Sequence, residues 1–140
     1  MKKHFGTSLT GLLLATLAFY ILGAVWYGAL FSEQWMALAN ITEEAANANM
    51  EKLGVMMWIL GILITVVQVI GIATVLNWAK ASDLMSCIKI ASIPAVLFSL
   101  PVIAYGPLYE AMPIELLMID FFHMLTGYIL VGGILSFFRD

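Results

Sequence analysis

Residues 53–78 read LGVMMWILGILITVVQVIGIATVLNW, and no charged side chain interrupts them. A helix needs about 20 predominantly apolar residues to cross the hydrocarbon core of a bilayer. The stretch therefore predicts a membrane-spanning helix, within which Gln68 is strongly polar. Residues 9–31 are equally free of charge and predict another span on the N-terminal side.

Two further apolar stretches follow, and both contain residues that interrupt them. Residues 84–105 include Pro94 and Pro101, which remove backbone hydrogen bonds and predict a bent helix. Residues 116–138 contain two ionisable groups but are long enough to span. We therefore expect an all-α integral membrane protein, with residues 1–140 forming a single bundle of four transmembrane helices.

The composition agrees with this interpretation. Of the 140 residues, 63% are hydrophobic and 11% are charged, and the mean hydropathy is +1.01. A soluble domain is about half apolar and about a quarter charged, so the excess apolar surface here must face lipid. This excludes a secreted disulfide scaffold, a disordered chain and a nucleic-acid-binding protein with a basic face. Cys87 is the only cysteine and cannot form a disulfide within the chain.

The basic residues are divided unequally between the two sides that four crossings define. Lys52 lies at the end of the long loop, on the side of the membrane that also carries six of the nine acidic residues. The others share the opposite side: Lys2, Lys3, Lys80, Lys89 and Arg139. Because cytoplasmic segments carry the excess of Lys and Arg, this pattern places both termini in the cytoplasm. The first apolar run is longer than that of a signal peptide, so we expect it to remain as the first helix.

The loop of residues 32–52 has two interpretations. Thr42 followed by Glu43 and Glu44 is typical of a helix N-cap with an acidic first turn. Apolar side chains such as Trp35 could then hold a short helix on the membrane surface. An ordinary acidic loop is the simpler interpretation.

A short pattern occurs twice where the chain leaves the membrane toward the outside. Residues 27–31 read YGALF, and residues 105–109 read YGPLY. Both present aromatic rings at the interface, where such rings are enriched. A duplicated two-helix hairpin would give a tandem parallel repeat, and convergent interface chemistry is the alternative.

Asp120 and His123 are the most informative residues, because ionisable groups in membrane spans are costly and normally face a bundle interior or a wet cavity. Three residues apart, they lie on one face of a helix. The pair could bind a ligand or relay protons, since histidine titrates near neutral pH. Alternatively, Asp120 could orient His123 toward a metal, or the pair could be a structural clasp between helices.

Aromatic residues are expected at the same depth as this pair. At 1.5 Å per residue, Tyr27, Tyr105 and Asp120 all fall near the outer boundary, with Trp26 and His123 slightly deeper. The sequence therefore predicts a cluster of these five residues in the outer half of the bundle. The inner half has no comparable polar residues, which argues against a continuous aqueous pore.

Other polar and small residues recur at helical spacing and predict the faces that point into the bundle. Small residues let helices approach closely, and buried polar groups in lipid need partners. These interior packing positions are Tyr20, Gly61, Thr65, Gln68 and Gly127.

No motif typical of a nucleotide site, a metalloprotease or a serine hydrolase is present, and we predict a protein that is not an enzyme and has neither cofactor nor metal. The leading hypothesis is a small inner-membrane protein whose outer cluster binds a small ligand or a proton. The alternative is a structural or accessory subunit of a larger membrane complex, and a small transporter or channel comes third. Beyond the lipid bilayer we expect a homo-oligomer, with Gly132 and Ser136 offering a small-residue surface, and no nucleic acid.

The chain resembles a family of small bacterial membrane proteins known as domain of unknown function 1761. The resemblance is carried by GAVWYGALF at residues 23–31, by Trp35–Met36, by residues 108–110 and by IDFFH at residues 119–123. The family pattern often has proline where this chain has Ala29. Membership implies a four-helix protein of the bacterial inner membrane and leaves its biochemical role open.

Overall fold

Four helical segments in the chain are long and apolar enough to cross a membrane. The computed structural model describes the backbone of residues 3–139 and the side chains of residues 5–139. The four segments, called spans 1 to 4 in chain order, are Leu9–Leu30, Val55–Trp78, Leu84–Tyr109 and Ile114–Ser136. The chain is therefore a multi-pass membrane protein, and the all-helical prediction is confirmed.

The secondary-structure elements follow one another with short connections. A two-residue hairpin of β1 (Lys3–His4) and β2 (Thr7–Ser8) precedes the first helix, with His4 paired to Thr7. The helices are α1 (Leu9–Val25), α2 (Ser32–Leu38), α3 (Glu43–Leu53), α4 (Val55–Trp78), α5 (Leu84–Pro94), α6 (Leu100–Ile103), α7 (Tyr105–Tyr109) and α8 (Ile114–Ser136). Two π-helical segments, Trp26–Leu30 and Ala95–Ser99, continue α1 and α5.

The predicted ends of the spans differ from the observed ends by a few residues. Span 2 begins at Val55 because Gly54, with φ of +52°, separates it from α3. Span 3 runs on to Tyr109 instead of ending at Tyr105. Pro113, at the N-cap of α8, places the start of span 4 at Ile114.

Span 3 is distorted where its prolines lie. Pro94 ends α5, the π-helical segment Ala95–Ser99 follows, and Pro101 sits in the first turn of α6. Proline lacks the N–H that would close the normal helical hydrogen bond. The structure therefore shows a change of helical type between the two prolines, and the bend itself stays a prediction.

Span 4 is the central element of the bundle, since it packs against spans 1, 2 and 3. Gly127 makes this possible on one side, because the ring of Phe19 occupies the space that a Cβ atom would need. Gly132 does the same on the other side, where a Cβ atom would lie 2.6 Å from that of Ala91. The surface that we expected Gly132 to offer to another copy is thus used inside the protomer, and the homo-oligomer stays a prediction.

The buried core is concentrated at one end of the bundle. In span 2, no residue from Val55 to Ile64 is buried, whereas Thr65, Val69 and Leu76 are. We call the end that carries α2 and α3 the loop end, and the opposite one the terminal end. The half of the bundle next to the terminal end (the terminal half) is tightly packed. In the half next to the loop end (the loop half), fewer side chains are buried.

Both ends of the chain contribute to the terminal end. The Thr7 hydroxyl donates to the backbone carbonyl of Phe138 at 3.2 Å. The Arg139 side chain donates through Nε to the carbonyl of Ala81 at 2.9 Å. These contacts join β2, the C-terminal residues and the connection between spans 2 and 3.

The segment of residues 32–52 is mostly helical, so the simpler expectation of an ordinary acidic loop was wrong. The Thr42 side chain accepts a hydrogen bond from the backbone N–H of Ala45 and caps α3, as its sequence predicts. None of the residues of α3 is buried, and α2 packs on span 4.

The two copies of the suggested repeat have different local structures. Residues 27–30 of the first copy lie in a π-helical segment, and residues 105–109 of the second form α7. The duplicated hairpin stays a prediction.

Candidate functional site

Asp120 joins three segments at the loop end of the bundle. Its Oδ1 accepts a hydrogen bond from the Tyr27 hydroxyl at 2.8 Å and another from Trp35 Nε1 at 3.2 Å. Next to it, Trp26 Nε1 donates to the backbone carbonyl of Ile119 at 3.2 Å. We call Asp120, Tyr27 and Trp35 the Asp120 clasp, because they tie span 1 and α2 to span 4.

The π-helical turn in span 1 presents consecutive aromatic residues to span 4. Trp26 and Tyr27 both belong to this turn, and each reaches a different acceptor on α8. π-helical turns occur often at functional sites, because they alter the spacing of side chains on one helix face. Here the altered spacing brings two neighbouring rings to the same partner helix.

His123 lies one helical turn below the clasp and is surrounded by rings. The centroid of its imidazole lies 4.9 Å from that of Tyr27, 5.6 Å from that of Phe19 and 5.9 Å from that of Trp26. Among the side chains of residues 5–139, no hydrogen bond joins Asp120 to His123. The two residues therefore share a helix face, as predicted, while making separate contacts.

The Nε2 atom of His123 is buried and has no hydrogen-bond partner among the described residues. A Cβ atom placed on Gly23 would lie 3.4 Å from this nitrogen. The absence of a side chain at Gly23 therefore leaves room beside the nitrogen. A buried polar atom without a partner is unusual in a folded protein and is a reason to look for a ligand.

A cavity of about 240 Å³ lies beside this nitrogen, between spans 1, 2 and 4. Its lining is aromatic with a few polar groups: Phe19, Tyr20, Gly23, Ala24, Tyr27, Trp58, Thr65, Gln68 and His123. We call this space the His123 cavity. A mostly apolar cavity with a few convergent polar groups is the usual form of a small-molecule site.

Some polar groups of the lining already make hydrogen bonds within the protein, and these bonds differ in strength. The Thr65 hydroxyl donates to the backbone carbonyl of Gly61 at 2.9 Å, as is common within helices. Gln68 Nε2 contacts the sulfur of Met124 at 3.8 Å, a weak interaction. Gly61 faces the ring of Tyr20, which would lie 3.3 Å from a Cβ atom at Gly61. Spans 1 and 2 are therefore in close contact at this point.

Comparison with protein families gives one match. A family model described as a protein of unknown function, DUF1761, matches residues 10–136, which is nearly the whole chain. The chain belongs to the DUF1761 family. No curated protein and no solved structure matches it.

Three of the four segments on which the DUF1761 resemblance rests come together in the structure, and residues 108–110 lie elsewhere, with Tyr109 stacked on Tyr105. Residues 23–31 supply Tyr27 to the clasp, Trp35 comes from α2, and residues 119–123 supply Asp120 and His123. Segments that are far apart in the sequence thus meet at one place, beside the cavity.

Most of the predicted site residues of this DUF1761 protein lie together, and one does not. Asp120, His123, Trp26 and Tyr27 form one cluster. Tyr105 lies elsewhere: its side chain is 59% exposed and its ring stacks on that of Tyr109, with centroids 5.6 Å apart. The prediction for Tyr105 relied on depth along the membrane, which does not specify the side of the bundle that a residue faces.

The five residues predicted to be interior packing positions differ in how far they are buried. Thr65 and Gly127 are buried, while Tyr20, Gly61 and Gln68 are partly buried. Three of these residues, Tyr20, Thr65 and Gln68, line the His123 cavity, so they contribute to the site as well as to packing.

Sequence analysis missed three aromatic residues of the site. Phe19 and Trp58 line the cavity, and Trp35 belongs to the clasp. Phe19 and Trp58 are indistinguishable by pattern from lipid-facing residues. Trp35 could have been identified as a site residue, since it is part of the family resemblance. The sequence otherwise predicts it only as a residue on the membrane surface.

A metal site receives no support from the described residues. Within residues 3–139, no group of three or more His, Cys, Asp or Glu side chains converges. The lining of the His123 cavity offers hydrogen-bonding groups and aromatic rings.

Proposed function

We propose that this DUF1761 protein binds one small ligand in the His123 cavity through a hydrogen bond to His123 Nε2, without altering the ligand chemically. The observation that carries the proposal is the buried, unpartnered Nε2 atom beside a cavity of about 240 Å³. Within a bilayer no bulk water can satisfy such an atom, and leaving it unpaired costs free energy. A ligand with one polar group would supply the missing partner.

The volume of the cavity limits the size of the ligand. Sites for drug-sized molecules measure roughly 300–1,000 Å³. The His123 cavity is slightly below this range. We infer a ligand, or the head group of a larger molecule, about the size of one substituted ring.

Asp120 has a supporting role in this proposal. Its Oδ1 already accepts two hydrogen bonds, and it does not line the cavity. By holding the Tyr27 hydroxyl, it fixes the ring that contacts His123. Asp120 is thus a positioning residue and a clasp between helices, and His123 is the binding residue.

Nuclear magnetic resonance of the histidine side chains tests the proposal. The protein is labelled with ¹⁵N-histidine in lipid nanodiscs, and a His4→Gln background isolates His123, since the chain has two histidines. The probes are 4-methylphenol and the benzylammonium ion, which carry a similar ring and can each donate a hydrogen bond, the first as a neutral molecule and the second as a cation. We expect at least one probe to shift the Nε2 resonance of His123 in a saturable manner.

A matched pair of glycine variants provides the control. Gly23→Leu fills the space beside Nε2 and should abolish the shift. Gly71→Leu adds the same side chain to span 2, where nothing lies within 4 Å of a Cβ atom, and should preserve it. Gly23→Ala is a milder filling that should weaken the shift if the larger variant folds poorly. The absence of a saturable shift with both probes would contradict the proposed function.

We also propose that the loop end faces the outside and that both termini lie in the cytoplasm of a bacterial cell, in its inner membrane. The support is the basic composition of the terminal end, where Lys80 and Arg139 lie. Cys87 is fully buried, so single introduced cysteines can be probed against a quiet background. In intact cells, a membrane-impermeant maleimide should label Asn47→Cys on α3 and should not label Ser82→Cys; the reverse would overturn this orientation.

A further inference from the structure

The lining of the His123 cavity contains no acidic or basic side chain other than the imidazole of His123. A cation that left water for this site would lose its hydration without gaining a counter-ion, and an anion would gain one only through protonation of the buried imidazole, so both are costly. The Asp120 carboxylate, which is bonded to Tyr27 of the lining, lies outside the lining and already accepts two hydrogen bonds. The cavity is therefore suited to a neutral ligand.

Aromatic rings form most of the cavity wall. Phe19, Tyr20, Tyr27 and Trp58 contribute them, and the His123 imidazole adds a fifth. Flat rings pack favourably against such walls in offset or edge-to-face arrangements. Aromatic walls also attract cations, so a cationic ligand is the competing outcome that an experiment must exclude.

Three spans each bring a hydrogen-bonding group to the cavity. These groups are the Tyr20 hydroxyl on span 1, the Gln68 amide on span 2 and the His123 imidazole on span 4. Hydroxyl and amide groups can both donate and accept hydrogen bonds. They match oxygen substituents on a ring, such as the hydroxyl of a phenol or the carbonyl of a quinone.

The route into the cavity is indicated by what covers it on each side. Toward the loop end, Tyr27 of the lining is held by the Asp120 clasp, which also fastens α2 through Trp35. Toward the side, Trp58 lines the cavity while remaining 55% exposed. The neighbouring loop half of span 2, from Val55 to Ile64, has no buried residue. On its Tyr27 side the cavity thus borders on residues held together by hydrogen bonds, and on its Trp58 side it borders on a stretch of helix without buried residues.

Resting on the proposed function, we propose that the ligand is a neutral, oxygen-substituted ring that is soluble in the membrane and enters the His123 cavity sideways from the lipid, past Trp58. Phenols and quinones share this chemistry. The aqueous side contributes the clasp that keeps the cavity closed, and the lipid side contributes the entrance.

The first experiment tests the chemical class with the same ¹⁵N-histidine measurement in nanodiscs. The neutral probes are 4-methylphenol, which donates and accepts hydrogen bonds, and duroquinone, a single-ring quinone that only accepts them. The cationic probe is the benzylammonium ion, whose N–H groups can also reach His123 Nε2. We expect a saturable shift of the His123 Nε2 resonance with at least one neutral probe and none with the cation. The neutral probe that binds more tightly identifies the phenol or the quinone class.

The outcomes separate this inference from the proposed function. A saturable shift with the cation alone would overturn the neutral class and leave the proposed function standing. A shift with no probe would contradict both. Loss of the shift in Gly23→Leu and its retention in Gly71→Leu place the neutral probe in the cavity.

The second experiment tests the route through the exchange rate of the bound neutral probe, measured by line-shape analysis. Trp58→Ala removes the side chain at the lipid-side mouth and should speed exchange several-fold. Trp35→Phe removes one hydrogen bond of the clasp while keeping a ring, and exchange should stay within error of the wild type. Faster exchange in Trp35→Phe with no change in Trp58→Ala would overturn entry from the lipid.

Discussion

The terminal half and the loop half of the bundle are built from the same four spans, yet they are packed in different ways. In the terminal half, small and branched side chains such as Ala73, Leu76, Ala91, Val131 and Leu135 are completely buried. In the loop half, span 2 has no buried residue, and polar and aromatic side chains make the contacts between spans 1 and 4.

This difference assigns a separate task to each half. Tight packing of apolar side chains leaves no room for a ligand, but it fixes the relative positions of the helices. Once those positions are fixed, the loop half can contain a cavity and an unpaired nitrogen without loss of the fold. Functional sites commonly lie in the less stable part of a structure for this reason.

The largest expected effect comes from damage to the terminal half. Leu76→Ala removes a side chain with no exposed surface and should lower the free energy of unfolding by about 2–5 kcal/mol. Leu63→Ala in the loop half of the same helix is the matched control, since Leu63 is 54% exposed and faces outward. Reversible unfolding in detergent micelles or nanodiscs measures both. Equal losses for the two variants would show that the halves do not differ in packing.

A smaller and more local effect is expected from the Asp120 clasp. Asp120→Ala leaves the Tyr27 hydroxyl and Trp35 Nε1 without their acceptor, which should cost about 1–3 kcal/mol. Hydrogen exchange of the α2 amides should accelerate, while amides around Leu76 keep their protection. Asp120→Asn retains an acceptor oxygen and should show a smaller change. Uniform acceleration throughout the bundle would mean that the clasp supports the whole fold instead of one region.

The two halves also differ in how well the sequence predicts them. Apolar length alone specified the four spans, because the bilayer imposes a minimum helix length. Asp120 and His123 are noticeable in the sequence because ionisable groups are rare inside spans, and Trp26 and Tyr27 were placed with them by their depth along span 1. Tyr105 was misplaced, since the rotation of span 3 depends on packing and on the π-helical segment between its prolines.

The cavity itself could not be predicted. It exists because spans 1 and 2 approach at Gly61 and Tyr20 and because Gly23 carries no side chain beside His123. Such spaces depend on the relative positions of three helices, and periodicity in one helix carries no information about the distance to another. The sequence pattern predicts Trp58 as a lipid-facing residue, and only the structure shows that it also lines the cavity.

The smallest expected effect is a local dependence on pH outside the spans, at the terminal end. Asp83 caps α5, and hydrogen bonds from Ser86 hold its pKa below the usual 3.8. Because the folded-state pKa is lowered, the stabilisation is present above the unfolded pKa and is lost as the pH falls through the folded value. The Ser86 amide should therefore lose protection from exchange below about pH 4.

A neutral cap provides the comparison for this last prediction. Asp83→Asn can still accept the hydrogen bond from the Ser86 amide but does not titrate. Its protection, corrected for the intrinsic rate of exchange, should stay flat over the same range of pH. A parallel loss of protection in the wild type and in Asp83→Asn would assign the change to other groups. In both proteins the His123 cavity should be unaffected, since it lies in the other half.

The contact between the Thr7 hydroxyl and the carbonyl of Phe138 has a consequence for the timing of assembly. A ribosome makes span 1 before span 4, which carries partner residues such as Gly127 beside Phe19. Span 1 can pack against span 2 early, but its contact with span 4 must wait until that span has been synthesised. During that interval the residues of span 1 that pack on span 4 face lipid or the translocation machinery, so a truncated chain that lacks span 4 should be a preferred target of membrane quality control.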